Sequence, residues 1–102
     1  MIDNVITGGR QSGRTTRLIE LCAEAEAKGE VSYIVCQSHS ECYRIAKLAE
    51  TMELRIAFPI SYDEFRSIGQ GHFIKNFYID NADTLLEWLA GPVSVKAITV
   101  QT

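Results

Sequence analysis

Eight residues near the start of the chain, Gly8-Gly9-Arg10-Gln11-Ser12-Gly13-Arg14-Thr15, combine glycines, cations and a hydroxyl at a spacing suited to anion chemistry. Glycines let the main chain curl until successive N–H groups converge on phosphate oxygens, and a helix starting behind them presents its positive end to the same anion. The spacing follows the phosphate-loop pattern G-x-x-x-x-G-K-[ST] with one departure, Arg14 in the lysine position. Arginine keeps the charge and can bind phosphate through two N–H groups, but its planar fork is bulkier than an ammonium, so affinity or hydrolysis should suffer. The Thr15 hydroxyl is of the kind that completes a Mg²⁺ shell. At average composition such a match should arise by chance in roughly one chain of this length in 200. The flanks therefore decide against an ordinary Gly-rich turn: the pattern requires a strand before and a helix after, and both are predicted.

A second group is Phe77-Tyr78-Ile79-Asp80, an apolar run ending in a carboxylate. A strand of this type buries its body in a sheet and delivers the acid at its C-terminal end, the edge where open parallel sheets bind ligands. Asp80 there would hold Mg²⁺ beside the phosphates. Taken alone, the run fits equally well with Asp80 capping the next helix. With the upstream loop, the metal role is preferred.

The elements that must position these residues alternate between strand and helix patterns, the signature of a parallel sheet with helices on its faces. Asn4–Thr7 reads as a strand entering the loop, and Leu18, Leu21, Cys22 and Ala25 recur at helical spacing up to Gly29. Val31–Cys36 is a buried-strand run, followed by a helix with Cys42, Ile45, Ala46, Ala49 and Met52 on its apolar face. Ile56–Ile60 contains Pro59 and belongs at an edge or strand end. Ser61 and Glu64 have capping-box spacing for a short helix through Ile68. After Phe77–Asp80 come a helix over Thr84–Leu89, a stop at Gly91-Pro92 and a last strand over Val93–Val100. The expectation is one domain over residues 1–102, an α/β three-layer αβα sandwich on a mostly parallel five-stranded sheet.

Composition narrows the partners. A formal net charge of -3 gives no surplus to neutralise a nucleic-acid backbone, although Arg10, Arg14 and Arg17 could form a local positive patch. Three cysteines form no paired framework and fit a reducing cytosol. No signal-peptide pattern or spanning apolar run is present, so a cytoplasmic location without membrane insertion is expected. Cys36, His39 and Cys42 have a C-x₂-H-x₂-C spacing, but a structural zinc site needs four ligands and no fourth lies nearby. Leu85, Leu86, Trp88 and Leu89 read as core; an exposed Trp88 would instead suggest an interface.

With Gly9–Thr16 (GRQSGRTT), Tyr33–Cys36 (YIVC), Phe58–Phe65 (FPISYDEF) and Ile79–Asn81 (IDN), the chain resembles the additional-strand (ASCE) division of P-loop NTPases. It is especially similar to small bacteriophage-encoded P-loop proteins. The resemblance covers essentially the whole chain and implies a minimal P-loop core binding ATP or another nucleoside triphosphate with Mg²⁺. It places Gly8, Gly9, Arg10, Gln11, Ser12, Gly13, Arg14, Thr15 and Thr16 on the phosphates, Arg14 at the Walker A lysine, Thr15 and Asp80 on Mg²⁺, and Asp80 at the Walker B aspartate.

Asn81 stands where this division usually has the glutamate that activates water, and an amide cannot accept that proton. Asp83 is a substitute from one turn on, or a helix cap; Gln101 stands in the place of a polar sensor, next to a fraying end. No lid, adenine pocket or arginine finger follows, so hydrolysis should be slow or depend on a protein partner or second copy. Arg44, Arg55 and Arg66 are the candidates to act in trans, each otherwise a solvated residue. Helicase-like relatives contact single strands through the segment at Gln37–Ser40; the acidic balance opposes such contact here. Two functions remain: a nucleotide-binding protein with weak or partner-dependent NTPase activity, serving nucleic-acid processing, or a degenerate scaffold acting as a protein-binding or inhibitory module.

Overall fold

The first long helix owes its position to four apolar side chains. In the computed structural model, which describes residues 5–7, 13–68, 76–91, 96–97 and 99, α1 (Arg14–Ala27) buries Leu18, Ile19, Cys22 and Ala25 along one face. Gly29 ends it at φ +83°, with Gly29 N–H donating to Glu26 O and Glu30 N–H to Ala25 O. That left-handed residue turns the chain back under the helix, as a glycine does without Cβ strain.

The chain then enters β1 (Ser32–Cys36), whose residues are nearly all buried. Ser38 caps α2 (His39–Thr51), its side chain accepting from Glu41 N–H, and Cys42, Ile45 and Ala49 form the helix's buried face. β2 (Ile60–Ser61) is only two residues long and lies at the sheet edge, where the proline just before it removes no ladder bond. Ser61 and Glu64 cap α3 (Tyr62–Ile68) reciprocally: Glu64 N–H donates to Ser61 Oγ, and Ser61 N–H donates to Glu64 Oε1. β3 (Asn76–Ile79) and α4 (Ala82–Ala90) complete the described elements. None of these helices is long and apolar enough to cross a membrane.

The strands are parallel and ordered β2-β1-β3. Alternation along β1 divides the core in two. Ile34 and Cys36 pack with Leu18, Ile19 and Cys22 of α1 and with Cys42, Ile45 and Ala49 of α2. Val35 and Tyr33 face the other way, toward Ile60, Tyr62, Leu85, Phe65 and Phe77. Helices thus cover both faces, as expected for an αβα arrangement.

The five-stranded expectation is corrected to a three-stranded parallel sheet among the described residues. Val5–Thr7 is not a strand: Ile6 packs against the core while Val5 is half exposed. Residues 96, 97 and 99 are likewise in no strand, and the rest of Val93–Val100 lies outside the described residues. The physical reason is that a short apolar run shows a segment can be buried, whereas a strand also needs a neighbour to complete its ladder.

Candidate functional site

In a parallel sheet all strands deliver their C-terminal ends to one edge. The register Val35↔Ile79 sets Cys36 beside Asp80 there, and Asp80 N–H donates to Val35 O at 2.9 Å. Asp80 is only 7% exposed, and its Oδ1 accepts a hydrogen bond from Thr15 Oγ1 at 3.3 Å. This contact joins residues 65 positions apart. It is long for a hydroxyl–carboxylate bond, and a carboxylate offers about four acceptor sites, so most of its capacity remains for another ligand.

Burial raises the Asp80 carboxyl above the ordinary carboxylate range. The Thr15 hydrogen bond and the charges of Arg44 and Arg14 oppose that shift, while Glu41 adds to it. A buried acid facing a hydroxyl and two cations is an arrangement that a bound cation or a polyphosphate would complete.

The start of α1 differs from the other helix starts. α2 has Ser38 and Glu41, α3 has the Ser61–Glu64 pair, and α4 has Asp83 in its first turn. At α1, as at α4, the preceding residue is left-handed and gives no side-chain cap, here Gly13 at φ +79°, but α1 is the one described helix whose first turn holds no acid. Arg14 and Arg17 instead bring positive charge to an end that is already electropositive. An anion at this end would relieve both.

Tyr62, which sequence reasoning left without a role, holds the acidic turn. Its hydroxyl is within 3.2 Å of both the Asp80 and Asn81 carbonyl oxygens. Burial pushes its pKa up to about 12, with the charges of Asp80 and Asp83 contributing, so the hydroxyl stays a donor at physiological pH.

The remaining candidates fall as follows. Thr16 follows Thr15 on α1, partly buried, and Asp83 is exposed on α4. Gly8, Gly9, Arg10, Gln11, Ser12 and Gln101 lie outside the described residues. Arg55 and Arg66 are exposed, while Arg44 pairs with Glu41 through two hydrogen bonds to Oε2, at 2.7 and 3.0 Å. The Cys36 and Cys42 sulfurs lie 2.9 Å apart in the core, both thiols raised by burial, whereas the His39 ring is 75% exposed, its Nδ1 3.9 Å from Glu64. Among the described residues no group of three or more His, Cys, Asp or Glu side chains could hold a metal ion. A Thr–Asp pair suits a cation that keeps water and ligand oxygens, as Mg²⁺ does, rather than a closed protein cage.

No protein-family model, curated protein or solved structure matches this chain.

Asn81 occupies the left-handed region, φ 55° and ψ 60°, between Asp80 and α4. Asn is among the few non-glycine residues that tolerate this conformation. Asn81→Glu is therefore expected to lower stability by about 1 kcal/mol, and Asn81→Gly to be neutral or slightly stabilising, as read by urea denaturation. A glutamate variant as stable as wild type would remove backbone conformation as the reason for asparagine here.

Proposed function

We propose that this chain binds a nucleoside triphosphate, ATP in the first instance, together with Mg²⁺, through the Gly8–Thr15 motif, with Thr15 and Asp80 meeting at the C-terminal edge of the sheet. The observation that carries this reading is the Thr15–Asp80 contact. The two groups proposed for Mg²⁺ lie in distant stretches of sequence, Asp80 being read as a metal ligand only with the loop upstream of it, and they meet in space at 3.3 Å. The acid-free, cation-bearing start of α1 adds to it, whereas the strand that the loop pattern asks for is not formed over Val5–Thr7.

Thr15 and Asp80 would hold Mg²⁺, which when bound neutralises charge on the phosphate oxygens. Arg14 would lie along the β/γ-phosphates, with Thr16 behind it in the first turn of α1. Asn81 cannot serve as a general base, and Asp83 is exposed on α4. Binding with slow or partner-dependent turnover is therefore the expected behaviour.

The test is a titration of purified protein with a fluorescent ATP analogue, with and without Mg²⁺. Wild type should bind saturably and more tightly with the metal, and Arg14→Ala should weaken binding by about tenfold, roughly 1.4 kcal/mol. Absence of saturable binding by wild type would end this reading.

One observation favours the second reading, a catalytically degenerate scaffold that docks a protein. Trp88 is 38% exposed and Leu89 59%, on the same helix as half-exposed Leu86. Apolar surface of that kind marks contact sites when contiguous. Rapid ATP hydrolysis by the isolated chain would argue against a scaffold without catalysis.

A further inference from the structure

Resting on the nucleotide reading above, we infer that Arg44 is the site's own terminal-phosphate receptor, held ready by Glu41 and released to the third phosphate of a bound nucleoside triphosphate.

The placement follows from the two flanks of α2. Cys42, Ile45 and Ala49 face the sheet. Tyr43 lies on one flank with its ring 5.2 Å from Phe58, and Ala46 and Glu50 line a groove of about 480 Å³ that runs to Leu54, Ile56 and Phe58. At 100° per residue, Glu41, Arg44 and Leu48 must lie on the opposite flank. Leu48 on that flank packs against the core that α2 shares with α1. Both helices start at the sheet edge that carries Asp80, so Glu41 and Arg44, in the first turns of α2, stand beside the mouth formed by Thr15 and Asp80. The charges of both residues reach Asp80, Arg44 lowering and Glu41 raising its proton affinity.

The Glu41–Arg44 contact is poised rather than fixed. Both guanidinium bonds go to the single oxygen Oε2, and the side chains are 37% and 52% exposed. Such solvent-facing pairs contribute little to stability. A phosphate group offers the same guanidinium a stronger, two-pronged, charge-assisted contact. A triphosphate reaching past Arg14 could therefore draw Arg44 away, whereas a diphosphate would leave it on Glu41. The chain would then sense the third phosphate without an arginine from a neighbouring molecule.

The experiment compares Mg²⁺-dependent affinities for a non-hydrolysable ATP analogue and for ADP in wild type, Arg44→Ala, Arg44→Lys and Glu41→Gln, with thermal unfolding as the control for folding. Arg44→Ala should lose about tenfold or more for the triphosphate and less than about twofold for the diphosphate, Arg44→Lys should fall between, and Glu41→Gln should tighten triphosphate binding by a few-fold, all with little change in melting temperature. If wild type and Arg44→Ala discriminate between the two nucleotides equally, or if both affinities fall together, this inference is overturned while the nucleotide site stands. If wild type binds neither nucleotide, the site reading and this inference fall together.

Discussion

Asp80→Asn is expected to act in opposite directions on binding and on folding. Mg²⁺-dependent nucleotide affinity should fall by about 100-fold, roughly 2.7 kcal/mol, because an amide brings no charge to a divalent cation. The ligand-free protein should nevertheless become more stable. The sign follows from proton linkage. Burial raises the folded-state pKa of Asp80, so between the ordinary carboxylate value and the raised one the folded protein binds more protons than the unfolded chain. Stability then falls as pH rises through that window, and the deficit persists at neutral pH. The amide has no such deficit and can still accept the Thr15 hydrogen bond. Urea denaturation of both proteins from neutral to acid pH should show the variant's advantage largest at neutrality and shrinking on acidification. A variant less stable than wild type at pH 7 would mean that the buried carboxylate is fully compensated by its neighbours.

Tyr62→Ala should produce the largest loss of stability among the substitutions considered, because Tyr62 is the bulkiest fully buried side chain among the described residues and bridges two parts of the site. Its ring packs with Val35, Ile60 and Leu85 and lies 5.8 Å from the Trp88 ring. Truncating a buried aromatic costs about 3–5 kcal/mol, against a total of about 5–15 kcal/mol for a typical domain. Much of the population should be unfolded on mild heating. Tyr62→Phe separates packing from hydrogen bonding: it keeps the ring, should lose about 1 kcal/mol, and should weaken Mg²⁺-dependent binding several-fold because the Asp80–Asn81 turn loses its tether. Calorimetry reads the first effect and nucleotide titration the second. Unchanged nucleotide affinity in a folded Tyr62→Phe protein would show that the turn holds itself.

Much of the local structure was legible because it depends on neighbours in sequence. Helical spacing placed Leu18, Cys22 and Ala25 of α1 and Cys42, Ile45 and Ala49 of α2 on the buried faces but passed over buried Ile19 and took in Leu21, Ala46 and Met52, which are only partly buried; Gly29 and Gly91 marked helix ends, and Ser61 with Glu64 marked the start of α3. Lateral order was not legible, since side-chain alternation reports which face is buried and nothing about which strand lies alongside. The same limit explains why Val5–Thr7 and the run near residues 96–99 passed as strands. Asn81 shows a different blind spot. The resemblance to P-loop NTPases would make it a missing glutamate, whereas the backbone shows a left-handed turn that asparagine suits. The pairing of Thr15 with Asp80 could be anticipated because both belong to one chemistry; Tyr62 could not, because its role lies in a hydroxyl reaching carbonyls 18 and 19 residues further along.

The wide separation of Thr15 and Asp80 has a kinetic corollary. Helix α1 and the β1-α2-β2 unit draw on the earlier part of the chain, whereas β3 must dock from a distance before the acid meets the hydroxyl. Long-range closure of this kind is slow relative to local ordering. A nascent chain that has emerged only through β2 therefore carries the threonine without its counterpart, and ligand capture would report the finishing of folding rather than its beginning.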